Sequence, residues 1–270
     1  MEHRPVAFEA SAIEAALREF PLGGLRVFQS LASTNDEALA WASQGAADLS
    51  LVIADKQTAG RGRAGRKWFT APGTALAVSA ILRSDSATKD PLGRLAGLGA
   101  IALADACEAF GLRPAIKWPN DVLLDGRKVA GVLVESQWSG NNPQGAVVGL
   151  GLNVLSGSVP PAGTVRFPAT SMERALGHAI SRVDMLRAVV SALVSWRPRM
   201  NTPEFLMAWE SRLAFRGQKV LLMRDGQPPL TGDLLGLEGD GSLRLMGLEG
   251  QLQVQMGEVQ LQPADDRMRR

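Results

Sequence analysis

The chain has 270 residues, of which 46% are hydrophobic and 21% are charged, and its formal net charge is +2. These values are typical of folded globular domains, and they argue against a disordered or fibrous chain and against a surface that binds polyanions along its whole length. The single cysteine, Cys107, excludes an intrachain disulfide and a cysteine metal cluster, so we expect a buried structural thiol. Neither a signal peptide nor a membrane-spanning apolar run is present in the sequence, which predicts a cytoplasmic protein.

The first half of the chain predicts alternating helices and strands. Apolar spacing predicts a helix over residues 9 to 20, and a strand-like segment, LRVFQSL, follows it. The triplet Ser33-Thr34-Asn35 precedes the next helix, and side chains of these types commonly cap a helix start. Buried strands are predicted over residues 49 to 55 and 74 to 82. A long helix over residues 91 to 110 would begin after Pro91 and end at Gly111.

The second half predicts a strand-rich meander, two helices and a separate C-terminal unit. The meander runs from residue 115 to about residue 154, and amphipathic helices are expected over residues 186 to 196 and 205 to 213. After Arg216 the texture changes to short strands separated by turns, which predicts a small β-barrel. We therefore expect an α+β fold of two domains, residues 1–215 and 216–270, in a chain long enough for both.

A basic, glycine-rich loop lies between the two buried strands. It reads GRGRAGRKW over residues 60 to 68, and no acidic residue occurs between Asp55 and Asp85. The loop matches G-x-G-x-x-G but lacks the helix that a dinucleotide fingerprint requires, and it lacks the Lys-Ser or Lys-Thr pair of a Walker loop. Glycine amides and arginine forks suit phosphate or carboxylate oxygens, so the loop predicts a local anion site, with a solvated basic turn as the alternative.

Two further motifs place lysines beside strands. KWPND, residues 117 to 121, sets a lysine and a carboxylate around a rigid turn, where loops commonly deliver functional groups. KVAGVLVE, residues 128 to 135, begins with a lysine and contains Gly131, which would let a ligand approach the backbone closely. For Lys117 and Lys128 a solvent-exposed position is the alternative interpretation.

The motifs together resemble those of biotin protein ligases. They occur in the order STN, GRGRAGRKW, KWPND, KVAGVLVE and GLGLN, and the resemblance covers roughly residues 28 to 155 and continues through ATSMERALG. It implies a mixed β-sheet flanked by helices, as in the catalytic domains of class II synthetases. It also implies an enzyme that uses ATP and Mg²⁺ to activate biotin as biotinoyl-AMP and then transfers biotin to a lysine of a biotin carboxyl carrier domain of a carboxylase.

The same resemblance implies roles for individual residues. Biotin would be bound by Ser33, Thr34, Gln57, Gly60, Arg61, Lys128 and Gly131. ATP and the adenylate would be bound by Arg63, Arg66, Lys67, Trp68, Lys117 and Asn153, with a core position as the alternative for Trp68. The catalytic residues would be Lys128, Arg61 and Asp121, of which Asp121 would orient or deprotonate the acceptor lysine. The metal ligands are not assigned.

Two alternative functions are weighed against the resemblance, together with the expected partners. A lipoate or octanoyl ligase or transferase is the nearest alternative enzyme, and GRGRAGRKW and KWPND favour biotin over it. A nucleic-acid-binding module would use the basic loop and the barrel, and the near-neutral charge argues against it. About 30 residues precede STN, too few for the DNA-binding domain of repressor-type members, so we expect no DNA or membrane partner. A homodimer is compatible with the resemblance.

Overall fold

The computed structural model describes residues 8–83, 91–139, 142–161, 164–165, 167–224, 227–256 and 259–264. Among these residues the helices are α1 Ala10–Leu17, α2 Thr34–Ser43, α3 Leu92–Ala109, α4 Met172–Leu176, α5 Arg182–Trp196 and α6 Pro203–Ser211. The first seven strands are β1 Gly24–Leu31, β2 Ser50–Gln57, β3 Ala75–Leu82, β4 Pro114–Lys117, β5 Asp121–Leu124, β6 Arg127–Ser139 and β7 Asn142–Asn153. The last five are β8 Lys219–Arg224, β9 Gln227–Leu237, β10 Leu243–Gly247, β11 Gly250–Val254 and β12 Val259–Pro263.

The first seven strands form one mixed sheet, as the sequence predicts. Their order is β1-β2-β3-β7-β6-β5-β4. β1 and β2 are parallel, and every other neighbouring pair in this sheet is antiparallel. Every residue of β3 is buried, which agrees with its continuous run of apolar and small side chains.

Helices cover this sheet on both faces. α2 packs on one face through Ala38 and Ala42, which contact Val52 and Ile81 of the sheet in a small apolar cluster. α3 and α5 contribute to the larger core on the other face. Side chains alternate between the two faces along a strand, so odd and even residues of β6 lie toward different helices. Among the described residues, no helix is long and apolar enough to cross a membrane.

The start of α2 shows how tertiary contacts replace a local one. The sequence predicts that the whole triplet precedes the helix, but the helix begins at Thr34 after the N-cap Ser33, and the Ser33 side chain makes no capping hydrogen bond. Gly45, with a φ of 89°, follows the helix end and donates its N–H to Ala42 O. The prediction that side chains of this polar triplet cap the helix is therefore wrong. Thr34 and Asn35 instead contact the side chains of Gln57 in β2 and Glu135 in β6.

The last five strands form a second, antiparallel sheet. Its order is β11-β10-β9-β8-β12. Within the described residues no pairing joins the edge strands β11 and β12, so the predicted closed barrel is an open sheet here. Short strands linked by tight turns predict antiparallel pairing, but closure also depends on strand tilt and stagger, which the pattern does not encode.

The second sheet contacts the first part of the chain through its β9–β10 turn. Trp118 Nε1 donates to Gly241 O at 2.9 Å, and Arg94 Nε donates to Gly239 O at 2.6 Å. The change from α+β texture to short strands lies between Ser211 and Lys219, close to the predicted boundary. One apolar cluster includes residues from both parts, and the division into two domains at residue 215 stays a prediction.

Candidate functional site

Three glycines form the floor of the candidate site on the α2 face of the sheet. Gly131 of β6 pairs with Gly151 of β7, and Gly149 pairs with Leu133 two residues further along the ladder. An added Cβ would come within 2.3 Å of Asn35 at Gly149 and within 2.4 Å of the Trp68 ring at Gly151. At Gly131 it would lie 3.1 Å from Lys128 Nζ. Glycine is needed here because functional side chains pass directly over the backbone.

Two lysines and one aspartate meet at one end of this floor. Lys128 Nζ lies 2.5 Å from Asp121 Oδ1, and Lys117 Nζ lies 3.9 Å from Asp121 Oδ2. The side chains of Lys117, Asp121 and Lys128 are 12%, 15% and 27% exposed, respectively, so the solvent-exposed interpretation of both lysines is wrong. Antiparallel pairing of β5 with β4 and β6 brings these residues together. The group carries a net positive charge.

The surroundings of Lys117 disfavour its charged form. Burial lowers its pKa, and the positive charges of Lys128 and Arg66 lower it further, against the opposing effect of Asp121. Its ammonium group also lies 4.0 Å from the centroid of the Phe167 ring. A buried cation whose neighbours are mostly cations is stabilised when an anion binds, because the anion offsets the repulsion.

Trp68 and Asn153 lie beside this cluster. Lys128 Nζ is 5.6 Å from the centroid of the Trp68 ring, whose Nε1 is buried with no hydrogen-bond partner among the described residues. Asn153, at the end of β7, donates from Nδ2 to Thr170 O at 3.0 Å. Thr170 in turn donates its backbone N–H to Lys128 O. Trp68 is therefore a half-buried wall of the site and not an ordinary core residue.

The basic loop is folded as a short hairpin. Gly62 donates its N–H to Arg66 O at 2.7 Å, and Arg61 and Lys67 form an isolated antiparallel bridge. Ala64 and Gly65 at the tip have φ values of 54° and 68°. Positive φ at both central residues is the geometry of a type I′ turn.

Arg61 ties this hairpin to the sheet and to α2. Its Nη1 donates to Asp36 Oδ1 at 2.5 Å, and its Nη2 donates to both oxygens of Glu135 at 2.9 and 3.0 Å. The hydrogen bond to Asp36 is the main reason that the pKa of Arg61 is raised. Its guanidinium is thus occupied by two carboxylates, which points to a role in holding the loop.

A hydrogen-bonded group at the start of α2 forms the other end of the site. The backbone N–H of Thr34 donates to Gln57 Oε1 at 2.8 Å, and Gln57 Nε2 lies 3.4 Å from Thr70 Oγ1. Ser79 Oγ lies 2.7 Å from Thr34 Oγ1 and 2.6 Å from Asn35 Oδ1. Thr34, Asn35 and Ser79 are buried, as are Ser33 and Gly60 of the predicted biotin pocket.

Arg63 occupies a different place from Arg61. Its Nη1 donates to Asn120 Oδ1 at 3.1 Å, next to Asp121. Arg63 and Asn120 line a cleft of about 170 Å³ with Val132 and Val134, and Val132 faces α3 at Gly99. The two arginines therefore approach β6 from its two faces, because Glu135, the partner of Arg61, alternates with Val132 and Val134.

The structure brings most of the predicted residues into two groups. The cation group contains Lys117, Asp121, Lys128, Trp68 and Gly131, with Asn153 joined to it through Thr170. The pocket group contains Thr34 and Gln57, with Gly60 next to the Gln57 side chain. Arg66 and Lys67 are exposed on the outer arm of the hairpin. Whether these residues bind biotin and ATP stays a prediction.

Five residues of the site escaped the sequence prediction, and all of them lie in or beside the quoted motifs or strands. They are Asn35, Ser79, Glu135, Gly149 and Gly151. The alternating glycines of GLGLN were a usable signal, because glycines spaced two residues apart in a strand leave one face bare. The role of Ser79 had no signal, since a small polar residue in a buried strand is compatible with many environments.

The remaining nucleophilic groups lie elsewhere. Burial raises the pKa of the Cys107 thiol to about 12, and Cys107 Sγ contacts Met172 Sδ, which confirms the structural thiol. His178 is exposed and contacts its own chain neighbour Ala179, while His3 lies outside the described residues. The chemistry of the candidate site therefore rests on its lysines, its aspartate and bound substrates.

A mixed sheet with a cationic, glycine-floored site agrees with the comparisons with known proteins. Residues 27–153 match the Biotin/lipoate A/B protein ligase family. The biotin--[acetyl-CoA-carboxylase] ligase of Paracoccus denitrificans is 36% identical over 240 residues, which are 84% of this chain and 96% of that protein. The bifunctional ligase/repressor BirA of Bacillus subtilis (strain 168) is 31% identical over 265 residues, which are 96% of this chain and 80% of that protein.

A solved structure gives the same result. The biotin protein ligase from Aquifex aeolicus in complex with biotin and ATP superposes with a TM-score of 0.77 at 27% identity, covering 89% of this chain and 99% of that one. The matched family model and the shared fold place the chain among the biotin and lipoate protein ligases. The chain belongs to the biotin protein ligase family.

Proposed function

We propose that this chain is an ATP-dependent biotin protein ligase. It activates biotin to biotinoyl-5'-AMP with release of pyrophosphate, and it then transfers biotin to a lysine of a biotin carboxyl carrier domain. The observation that carries the proposal is the cluster of Lys128, Lys117 and Asp121 beside the Trp68 ring, at the edge of a bare glycine floor. Cations and an indole at one spot suit a ligand that is both anionic and aromatic.

The first step joins two anions, and the cation group lowers their repulsion. An oxygen of the biotin carboxylate forms a bond to the α-phosphorus of ATP, and the bond from that phosphorus to pyrophosphate breaks. Lys128 would contact both the carboxylate and the α-phosphate, while Lys117 would contact phosphate oxygens. Placement and charge neutralisation of this kind account for most catalysis in phosphoryl-type transfers. Trp68 would cover one face of the adenylate, and Asn153 would hydrogen-bond the adenine.

The second step needs a neutral amine. The acceptor lysine attacks the carbonyl carbon of the adenylate, an amide forms, AMP leaves, and one proton is released. Asp121 would orient the amine or accept that proton, because it lies next to Lys128 at the reacting end of the site. The hairpin of residues 60 to 68 would exclude water from the adenylate.

Mg²⁺ would be supplied with the nucleotide. This ion usually keeps several waters and is held by one or two carboxylates plus substrate phosphates. Among the described residues, no group of three or more histidine, cysteine or acidic side chains is placed to hold a metal. Asp121 is already paired with two lysines, so the chain offers no dedicated cage there. The cation would neutralise phosphate charge when bound. The cytoplasmic location of the protein is a separate expectation and stays a prediction.

One experiment tests the proposal directly. The purified chain is incubated with biotin, Mg-ATP and a biotin carboxyl carrier domain, and covalent biotin and pyrophosphate are measured. We expect both products, with about one pyrophosphate per biotin transferred. A parallel reaction with lipoate tests the alternative substrate, since the family includes lipoate ligases. Lipoate turnover without biotin turnover would overturn the proposal.

A further inference from the structure

We propose that a buried hydrogen-bond relay from Glu135 through Asn35 and Ser79 fixes the Thr34 hydroxyl as a hydrogen-bond acceptor toward the ligand. Ser79 is then a positioning residue that makes the pocket select an N–H group at this point. The inference rests on the proposed function, because it takes the ureido ring of biotin as the group that meets Thr34. The relay itself follows from the contacts that join Glu135, Asn35, Ser79 and Thr34.

The first step fixes the orientation of the Asn35 amide. Asn35 Nδ2 lies 2.6 Å from Glu135 Oε2 and 3.3 Å from Leu133 O. A main-chain carbonyl only accepts hydrogen bonds, and so does a carboxylate that is paired with Arg61. The amide NH₂ must therefore face Glu135, and Oδ1 must face the other way, toward Ser79.

The second step fixes the proton of Ser79. Ser79 Oγ lies 2.6 Å from Asn35 Oδ1 and 2.7 Å from Thr34 Oγ1. The amide oxygen carries no proton, so the single hydroxyl proton of Ser79 is donated to it. The contact with Thr34 then needs the Thr34 proton, because two hydroxyl oxygens at this distance repel without a proton between them. Thr34 Oγ1 also lies 3.1 Å from Gln57 Oε1, but that oxygen already accepts the Thr34 N–H at 2.8 Å, and the contact with Ser79 is the shorter of the two, so the hydroxyl proton of Thr34 lies toward Ser79. Both residues are at most 3% exposed, so water does not compete for these protons.

The third step fixes what the pocket offers. Thr34 donates its hydroxyl proton to Ser79, so the remaining Thr34 Oγ1 lone pair can only accept a hydrogen bond. Gln57 receives the Thr34 N–H at Oε1, which turns its NH₂ group toward Thr70 and Gly60. Thr34 Oγ1 thus presents a hydrogen-bond acceptor, and Gln57 Nε2 presents a donor.

A cyclic urea matches this polarity. Its ring has an N–H that donates to Thr34 Oγ1 and a neighbouring carbonyl that accepts from Gln57 Nε2. A cyclic carbamate, in which oxygen replaces that N–H, would set its lone pairs against those of Thr34. Sites built to hydrogen-bond a substrate N–H or O–H reject analogues that lack it by large factors, because buried polar groups are left unpaired.

The test measures binding polarity without catalysis. Dissociation constants are measured by calorimetry in the absence of ATP for biotin and for the two carbamate analogues in which either ureido N–H is replaced by oxygen. The proteins are the wild type, Ser79→Ala, and the control Ser50→Ala. Ser50 is a buried serine of β2 whose Oγ has no hydrogen-bond partner among the described residues. Thermal unfolding of each variant reports whether it is folded.

We expect the wild type and Ser50→Ala to bind biotin about 10³-fold or more tightly than one of the two analogues. Ser79→Ala frees the Thr34 hydroxyl to rotate and donate, so the same ratio should fall by at least about tenfold. An unchanged ratio in a folded Ser79→Ala protein would overturn the relay. Equal binding of biotin and both analogues by the wild type would also overturn it, whereas a wild type that binds no biotin would instead contradict the proposed function.

Discussion

The two ends of the site differ in charge and in how their polar groups are paired. At the start of α2, Thr34, Asn35 and Ser79 are buried neutral groups that satisfy one another through hydrogen bonds. At the β5–β6 end, Lys117 and Lys128 share one aspartate, so positive charge is left in excess. In the hydrogen-bonded network every donor and acceptor direction is fixed, so it suits a neutral ligand with the matching donors and acceptors. The lysine cluster has surplus positive charge, so it is stabilised when an anion binds. Arg61 links the ends through Glu135.

The largest effect should come from removing a charge at the cationic end. Lys128→Ala should slow formation of biotinoyl-AMP about 10³-fold, because developing phosphate charge loses its closest cation. Single-turnover release of pyrophosphate measures this step. Lys219→Ala, at an exposed lysine of β8, is the control for a lysine-to-alanine change outside the site. A Lys128→Ala variant with near-normal turnover would remove the central assignment.

Lys117→Met should weaken ATP use while it stabilises the fold. We expect kcat/KM for ATP to fall by about 10- to 100-fold, with the Michaelis constant for biotin little changed. Burial lowers the pKa of Lys117, so the protonated form costs stability at pH values below its folded pKa. The gain in unfolding free energy should therefore be full near pH 7 and should shrink as the pH rises toward the ordinary lysine value of 10.5. Denaturant unfolding from pH 7 to 10.5 tests the sign.

Breaking the link between the two ends should have a smaller effect. Arg61→Met removes hydrogen bonds to Asp36 and Glu135, and exposed ion pairs contribute only about 0.2 to 1 kcal/mol each. Their combined loss corresponds to a roughly tenfold faster escape of biotinoyl-AMP. Quenched-flow measurement of released adenylate checks this, with Arg61→Lys as an intermediate case. Retention equal to the wild type would show that Arg61 does not hold the hairpin closed.

The smallest effect should come from the hairpin tip. Ala64 has a φ of 54°, and the left-handed conformation costs alanine roughly 1 to 2 kcal/mol in the folded state. Glycine avoids this cost, but it also gives the unfolded chain more conformational entropy, which offsets part of the gain. Ala64→Gly should therefore raise the free energy of unfolding by about 0.5 to 1 kcal/mol. It should leave both ends of the site, and hence activity, unchanged. A destabilised variant would contradict the turn geometry.

The motifs made much of the fold and the cationic end predictable. The long helix after Pro91 and the buried strands depend on local patterns, and all of them are present. Lys117, Asp121 and Lys128 meet because short antiparallel strands bring residues near in sequence side by side. The open C-terminal sheet and the uncapped start of α2 were not predicted, because each depends on contacts outside the local segment.

The sequence by itself determined which chemical groups this protein has and which strands carry them. Only the tertiary structure decided what these groups do for one another. Ser79 is 45 residues from Thr34, and Glu135 is 100 residues from Asn35, so nothing local relates them. The direction of a hydrogen bond depends on every partner in its chain, and those partners are assembled only when α2 packs over β3, β6 and β7.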